Sequence, residues 1–173
     1  MTTVSIDTGA ATRLDAKHTL EVMKLRVRQQ LAAPAVWQTA RNLVARVTPR
    51  DEVAQARAIR AWALSKWRFI NDPLWHQLLE TPLSILEQIR TKGFAQGNCA
   101  DAAMLTAALC EAIHLPCRFV AVAFNEKTAP YSHVFTIAYP RQPTGGRMPV
   151  EMDITRPATA THVVFSRRLL LEV

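Results

Sequence analysis

Apolar positions recur at helical spacing through the first two thirds of the chain and alternate with polar ones in the last third. Over residues 15 to about 32, Leu20, Met23, Val27 and Leu31 mark one face of a helix. Pro34 suits the first turn of a second helix, which carries Val36, Trp37, Ala40, Leu43, Val44 and Val47. Thr48-Pro49-Arg50-Asp51 predicts a third start, with Thr48 as the cap, Pro49 at the first helical position and an acid in the first turn. Val53, Ala56, Ile59, Ala63 and finally Trp67 form its apolar side, and Asn71-Asp72-Pro73 signals the turn that follows. Thr81-Pro82 opens a short helix with Leu83, Leu86 and Ile89 inward; Gly93 stops it, and residues 93–97 are expected to be a loop. The stretch from Cys99 to about Ile113 is apolar on almost every side, so this helix is expected inside the protein. His114-Leu115-Pro116 ends it. Strand patterns then run over residues 117–124, 133–139, 149–154 and 161–165, joined by Pro- or Gly-containing loops at 125–130 and 140–148. Helices followed by consecutive strands predict an α+β fold, with the central helix packed on an antiparallel sheet. Residues 1–14 read as a flexible arm or an edge strand, and 15–173 as a single domain. Within it a helical element (15–48) precedes the core (49–173).

Composition narrows the class. A chain of 173 residues, 49% of them hydrophobic, is long enough for a real core and too apolar for a disordered protein. No apolar run approaches the roughly 20 residues that span a bilayer, and the opening residues lack the features of a secretion signal, so no membrane partner and a cytoplasmic address are expected. The formal charge is +7, but Lys24, Arg26, Arg28, Arg41, Arg46, Arg57 and Arg60 are scattered through helices. A nucleic-acid reader would need a dense basic block or a recognition motif; without either, a solvated basic surface is the expectation. Three cysteines, an odd number, argue against a disulfide framework. Cys110 and Cys117 read as small buried apolar residues.

Cys99 is different. It stands at a predicted helix start, after Gly97-Asn98, where unpaired N–H groups and the helix dipole favour a thiolate and a developing oxyanion. Gly97 would let the backbone turn tightly and leave room for substrate. His133 shares a strand face with Phe135 and Ile137, and Asp153 shares one with Glu151 and Thr155. Each alone is unremarkable: a histidine on an apolar face is usually structural, and a strand carboxylate is usually solvated. Together, on neighbouring strands, Asp153 could bond one ring nitrogen of His133 and turn the other to Cys99. A metal held by Cys99, His133 and Asp153 is chemically conceivable, but the spacing matches no zinc motif. His18, His76, His114 and His162 read as structural or exposed.

These segments resemble the transglutaminase-like superfamily, which shares its core with papain-like cysteine proteases. The resemblance rests on Gly97-Asn98-Cys99 leading an Ala/Leu-rich helix, on Leu115-Pro116-Cys117-Arg118-Phe119-Val120, on Ser132-His133-Val134-Phe135 and on Met152-Asp153-Ile154-Thr155. Upstream, Ile59 to Trp62, Trp67-Arg68-Phe69, Asn71-Asp72-Pro73 and Glu80-Thr81-Pro82 are similar to the lead-in of small bacterial and bacteriophage members. The resemblance implies Cys99 as nucleophile, His133 as general base and then acid, and Asp153 as the carboxylate that orients the ring. It also implies attack on an amide or ester and a thioester intermediate released to water or an amine. Gln96, Asn98 and Asp101 are the candidates for oxyanion or substrate contacts, with Gln96 equally well an exposed loop residue. Family members often carry an acid just before the cysteine and acids just after it. Asn98 and Ala100 depart from that pattern, and only Asp101 keeps it, which bears on substrate preference.

Two functions follow as expectations. The first is a peptidase, amidase or acyltransferase acting on a peptide or protein, with no cofactor and no metal. The second is a catalytically silent fold that binds or builds, such as an assembly protein that joins phage structural proteins and is virion-associated.

Overall fold

The computed structural model describes residues 4–7, 13–71, 76–124, 131–155 and 165–173. Along the chain run β1 (Val4–Asp7), α1 (Arg13–Gln30), α2 (Pro34–Val44), α3 (Glu52–Lys66), β2 (Trp67–Phe69), β3 (His76–Leu79), α4 (Pro82–Lys92), β4 (Ala95–Gly97) and α5 (Cys99–Glu111). Then come β5 (Cys117–Phe124), β6 (His133–Ala138), β7 (Val150–Glu151) and β8 (Phe165–Glu172).

α5 is the centre. Every residue from Ala100 to Cys110 is buried, which its all-round apolar composition requires. Its many alanines let neighbours approach closely, and α1, α2, α3 and α4 pack around it. On the remaining side lies an antiparallel four-stranded sheet in the order β7-β6-β5-β8. Thr136 in β6 fastens sheet to helix: its hydroxyl donates to the Ala103 carbonyl at 2.8 Å. The opposite face of the sheet holds a second, small cluster of Val120, Val122 and Phe135. The α+β architecture with a buried helix against an antiparallel sheet is therefore the observed one.

Several local expectations need correction. The third helix is capped by Asp51, not Thr48, and Asp51 accepts from the Ala54 N–H at 2.9 Å. Arg50 sits at φ 70, a left-handed conformation that turns the chain between Pro49 and the true cap. The helix ends at Lys66, and Trp67–Phe69 becomes a strand rather than a last turn. Residues 95–97, expected in a loop, pair in parallel with β2, Trp67 opposite Ala95 and Phe69 opposite Gly97. His76, expected in a loop, opens β3, which pairs with β1. The strand expected over 149–154 stops at Glu151, so regular alternation is lost just before Asp153. Of the strand expected at 161–165, residues 161–164 lie outside the described residues, as do the loop at 125–130 and the Asp72-Pro73 turn; β8 begins at Phe165. The helix after Thr81 forms as expected, but Leu83, expected inward, is exposed, and Ile85 is buried beside Leu86. Thr81 accepts from the Ser84 N–H, and Gly93 ends the helix at φ 82, where a side chain would be strained.

Candidate active site

The start of α5 is held by a reciprocal cap. Asn98 Oδ1 accepts from the N–H groups of Ala100 (2.8 Å) and Asp101 (3.1 Å), and Asp101 Oδ2 accepts from the Asn98 N–H (3.2 Å). The other oxygen of Asp101 accepts from the Glu80 N–H at 2.8 Å, which ties the approach to α4 onto the start of α5. Gly97 is required here for space. A Cβ on it would lie 2.7 Å from Asp101 Oδ2 and 3.0 Å from the Trp67 ring. The cap takes the N–H groups of Ala100 and Asp101 but not that of Cys99. The thiol of Cys99 is half-buried at the first position of the helix.

His133 opens β6 and stacks on Phe135, with ring centroids 5.7 Å apart. Its Nε2 lies 2.6 Å from Asp153 Oδ2, and its ring also shares a hydrogen bond with the Cys99 side chain. The second oxygen of Asp153 accepts from the Thr155 N–H at 2.9 Å and hydroxyl at 2.7 Å, an Asx turn that aims the carboxylate at the imidazole. The Asp153 carbonyl accepts from Arg60 Nε at 3.1 Å, so α3 anchors this turn.

Burial by itself would push the His133 imidazole down. The hydrogen bonds and negative charge of Asp153 and Cys99 outweigh it and raise the group from its ordinary 6.5 to about 9. Burial likewise works against the Asp153 carboxylate. His133 and the two Thr155 donors prevail and hold it below the usual range. At neutral pH the pair is therefore an imidazolium and a carboxylate, and the imidazolium faces the thiol.

The structure thus brings together Cys99 from the start of α5, His133 from β6 and Asp153 from the turn after β7. It places the other candidates differently. Asn98 and Asp101 are buried, and each accepts backbone N–H groups at the start of α5. Gln96 is a half-buried strand residue opposite Arg68, and its N–H donates to Gln88 Oε1 at 3.4 Å. Trp67 was read as the last apolar residue of a helix. It packs instead against Gly97, and its indole N–H is the buried side-chain donor left without a partner among the described residues. An aromatic 30 positions upstream gives no local signal of that meeting; Arg60 and Thr155 were equally silent, although the D-x-T spacing at 153–155 is a recognisable Asx-turn pattern. Among the described residues no group of three His, Cys, Asp or Glu side chains is arranged to hold a metal ion. Nor is any helix there long and apolar enough to cross a membrane.

Residues 38–151 match the sequence model of the transglutaminase-like superfamily. No curated protein sequence matches the chain. Among solved structures, a proposed protease from Parabacteroides distasonis superposes with a TM-score of 0.58 at 16% identity, over 90% of this chain and 29% of its own. A proposed cysteine protease from Cytophaga hutchinsonii superposes with a TM-score of 0.47 at 14% identity, over 99% of this chain and 62% of its own. This chain therefore spans less than a third of the first of these proteins and under two thirds of the second.

Proposed function

The chain belongs to the transglutaminase-like superfamily, and from that premise we propose that it is a thiol enzyme that opens amide or ester bonds through a thioester on Cys99. The observation that carries this reading is the position of His133, held at 2.6 Å by Asp153 and close enough to Cys99 for the two to act on each other. A histidine kept only for packing has no need of a buried carboxylate, and a buried carboxylate is costly unless it is paired.

The reaction runs as follows. His133 holds the proton of Cys99, leaving a thiolate beside an imidazolium. The thiolate attacks the carbonyl carbon, and the C=O electron pair moves onto oxygen. The Cys99 N–H, which the cap does not use, is available to that oxyanion together with the positive end of α5. As the tetrahedral centre collapses, the C–N or C–O bond breaks and the imidazolium gives its proton to the leaving group. A water or an amine then surrenders a proton to His133 and attacks the thioester. The thiolate leaves, and acid or transferred amide is released. Asp153 keeps the ring oriented and stabilises its charge throughout. The substrate in this reading is a peptide or protein, and the acceptor is water or an amine.

The test is the pH profile of Cys99 alkylation by iodoacetamide. The wild type is expected to be alkylated faster at low pH than His133→Ala, whose profile is expected to follow that of a free cysteine. An ordinary profile in both proteins would overturn the enzyme reading and leave a silent fold used for binding or assembly.

A further inference from the structure

Large apolar side chains left in water are common singly, and their position matters only when they cluster at a place with a use for them. Two of those on this surface are consecutive: Phe69 is 50% exposed and Ile70 47% exposed. They lie where β2 ends beside the run into Cys99. Phe69 is opposite Gly97 in the parallel pair, and the Ile70 N–H donates to the Gly97 carbonyl at 3.0 Å. Paired strands lie about 5 Å apart and Gly97 is two residues from Cys99, so the Phe69 backbone is within roughly 12 Å of the Cys99 backbone. A phenylalanine ring covers much of that distance.

The faces are also fixed. Side chains alternate along a strand, so Phe69 shares the face of Trp67, the face on which Trp67 meets Gly97 and Asp101 closes the start of α5. Arg68 is on the other face, its guanidinium carbon 3.5 Å from the centre of the Phe94 ring. Trp67 is packed down against the glycine; Phe69, next along the same face, remains open. We propose that Phe69 determines specificity by receiving an apolar group of the acyl donor close to the scissile carbonyl. The substrate class is then an extended peptide or amide that carries an aliphatic or aromatic side chain beside the bond that is opened. This rests on the thiol-enzyme reading of Cys99 and goes beyond it by naming what the acyl side must carry.

The experiment compares two alkylating agents that differ only in an apolar tail, iodoacetamide and N-benzyl-iodoacetamide. In both the Cys99 thiolate displaces iodide. Each rate on the folded protein at pH 6 is divided by that agent's rate on glutathione, and the quotient of the two normalised rates reads recognition of the tail. The wild type is expected to favour the benzyl agent about tenfold, and Phe69→Ser to abolish most of that preference, the size of effect that one lost apolar contact has in a hydrophobic subsite. Phe69→Leu is expected to restore it, and Leu170→Ser, an exposed apolar residue far along β8, to leave it as in the wild type. No preference in the wild type, or a loss of both rates in equal proportion in Phe69→Ser, overturns the proposal while the iodoacetamide profile still supports an activated thiol. An unactivated thiol in the wild type overturns both readings. A second copy of the chain seated on Phe69 would make the quotient depend on protein concentration, and that result overturns the proposal too.

Discussion

His133 and Asp153 hold opposite charges where water barely reaches, and each keeps its charge because of the other. The two shifts set a pH window. His133 is raised when folded, so its contribution to stability is complete below 6.5 and is lost as pH rises through about 9. Asp153 is lowered when folded, so its contribution is present above the ordinary 3.8 and is lost only as pH falls through the lower folded value. The pair therefore stabilises most between about pH 4 and 6.5. The gap in unfolding free energy between the wild type and His133→Ala is expected to narrow between pH 6.5 and 9.5 by on the order of 3 kcal/mol, since each pKa unit is about 1.4 kcal/mol. Urea melts at the two pH values check this; a gap that stays constant would mean that the imidazole is neutral throughout. At this scale the sequence was informative about Cys99, because a small polar cap followed by an apolar run is a local pattern. It said little about Asp153. Its burial and its bonds to Thr155 and Arg60 depend on β7 ending at Glu151, after which the chain leaves the strand path.

α5 must do two things that pull against each other: bury an apolar body and open on a polar end. Its cap reconciles them. Asn98→Ala removes the acceptor for the Ala100 and Asp101 N–H groups and is expected to cost about 1–2 kcal/mol, while Asn98→Ser, which keeps an acceptor, recovers most of it. Denaturant midpoints of the two variants read the difference directly. The same loss is expected to slow Cys99 alkylation, because the thiol rides on the first position of the helix. Helix existence was legible throughout, from 3.6-residue periodicity that needs no distant partner. Helix starts were less so. Thr48-Pro49 matches a start pattern as well as Asp51 does, and only the left-handed Arg50 decides between them. The short strands β2 and β4 were not legible at all. Three residues carry too little alternation to be seen, and each is a strand only because the other lies beside it 28 positions away.

Across the whole molecule α5 spans the distance between two environments. At its N-terminus is the polar cluster around Cys99. Beyond its C-terminus Glu111, Cys117, Arg118, Tyr139, Arg147 and Glu172 line a cavity of about 320 Å³. The charges there are answered internally: Arg118 pairs with Glu172 at 2.5 Å, and Arg147 donates to the Tyr139 carbonyl at 2.5 Å. The three thiols record this polarity. Cys110 and Cys117 are buried, and burial pushes both thiols up, whereas Cys99 is half-buried against an imidazolium. A disulfide reagent such as DTNB at neutral pH is thus expected to modify Cys99 quickly, Cys117 at the cavity wall more slowly, and the fully buried Cys110 only at the rate of opening of the core. Three fast thiols, or a fast thiol that survives in Cys99→Ser, would contradict the packing described.

The sequence alone determined the class of fold, the buried helix with Cys99 at its head and the three residues that chemistry would bring together, because periodicity, capping and the choice of reactive side chains are local properties. The tertiary structure alone decided that His133 Nε2 meets Asp153, that Arg60 anchors the turn carrying Asp153, and that Trp67 lies on Gly97 while Phe69, on the same strand, is left open. Those facts join residues 20 to 93 positions apart in the chain, and distance across the core is set by how the helices and the sheet pack, not by anything a single segment carries.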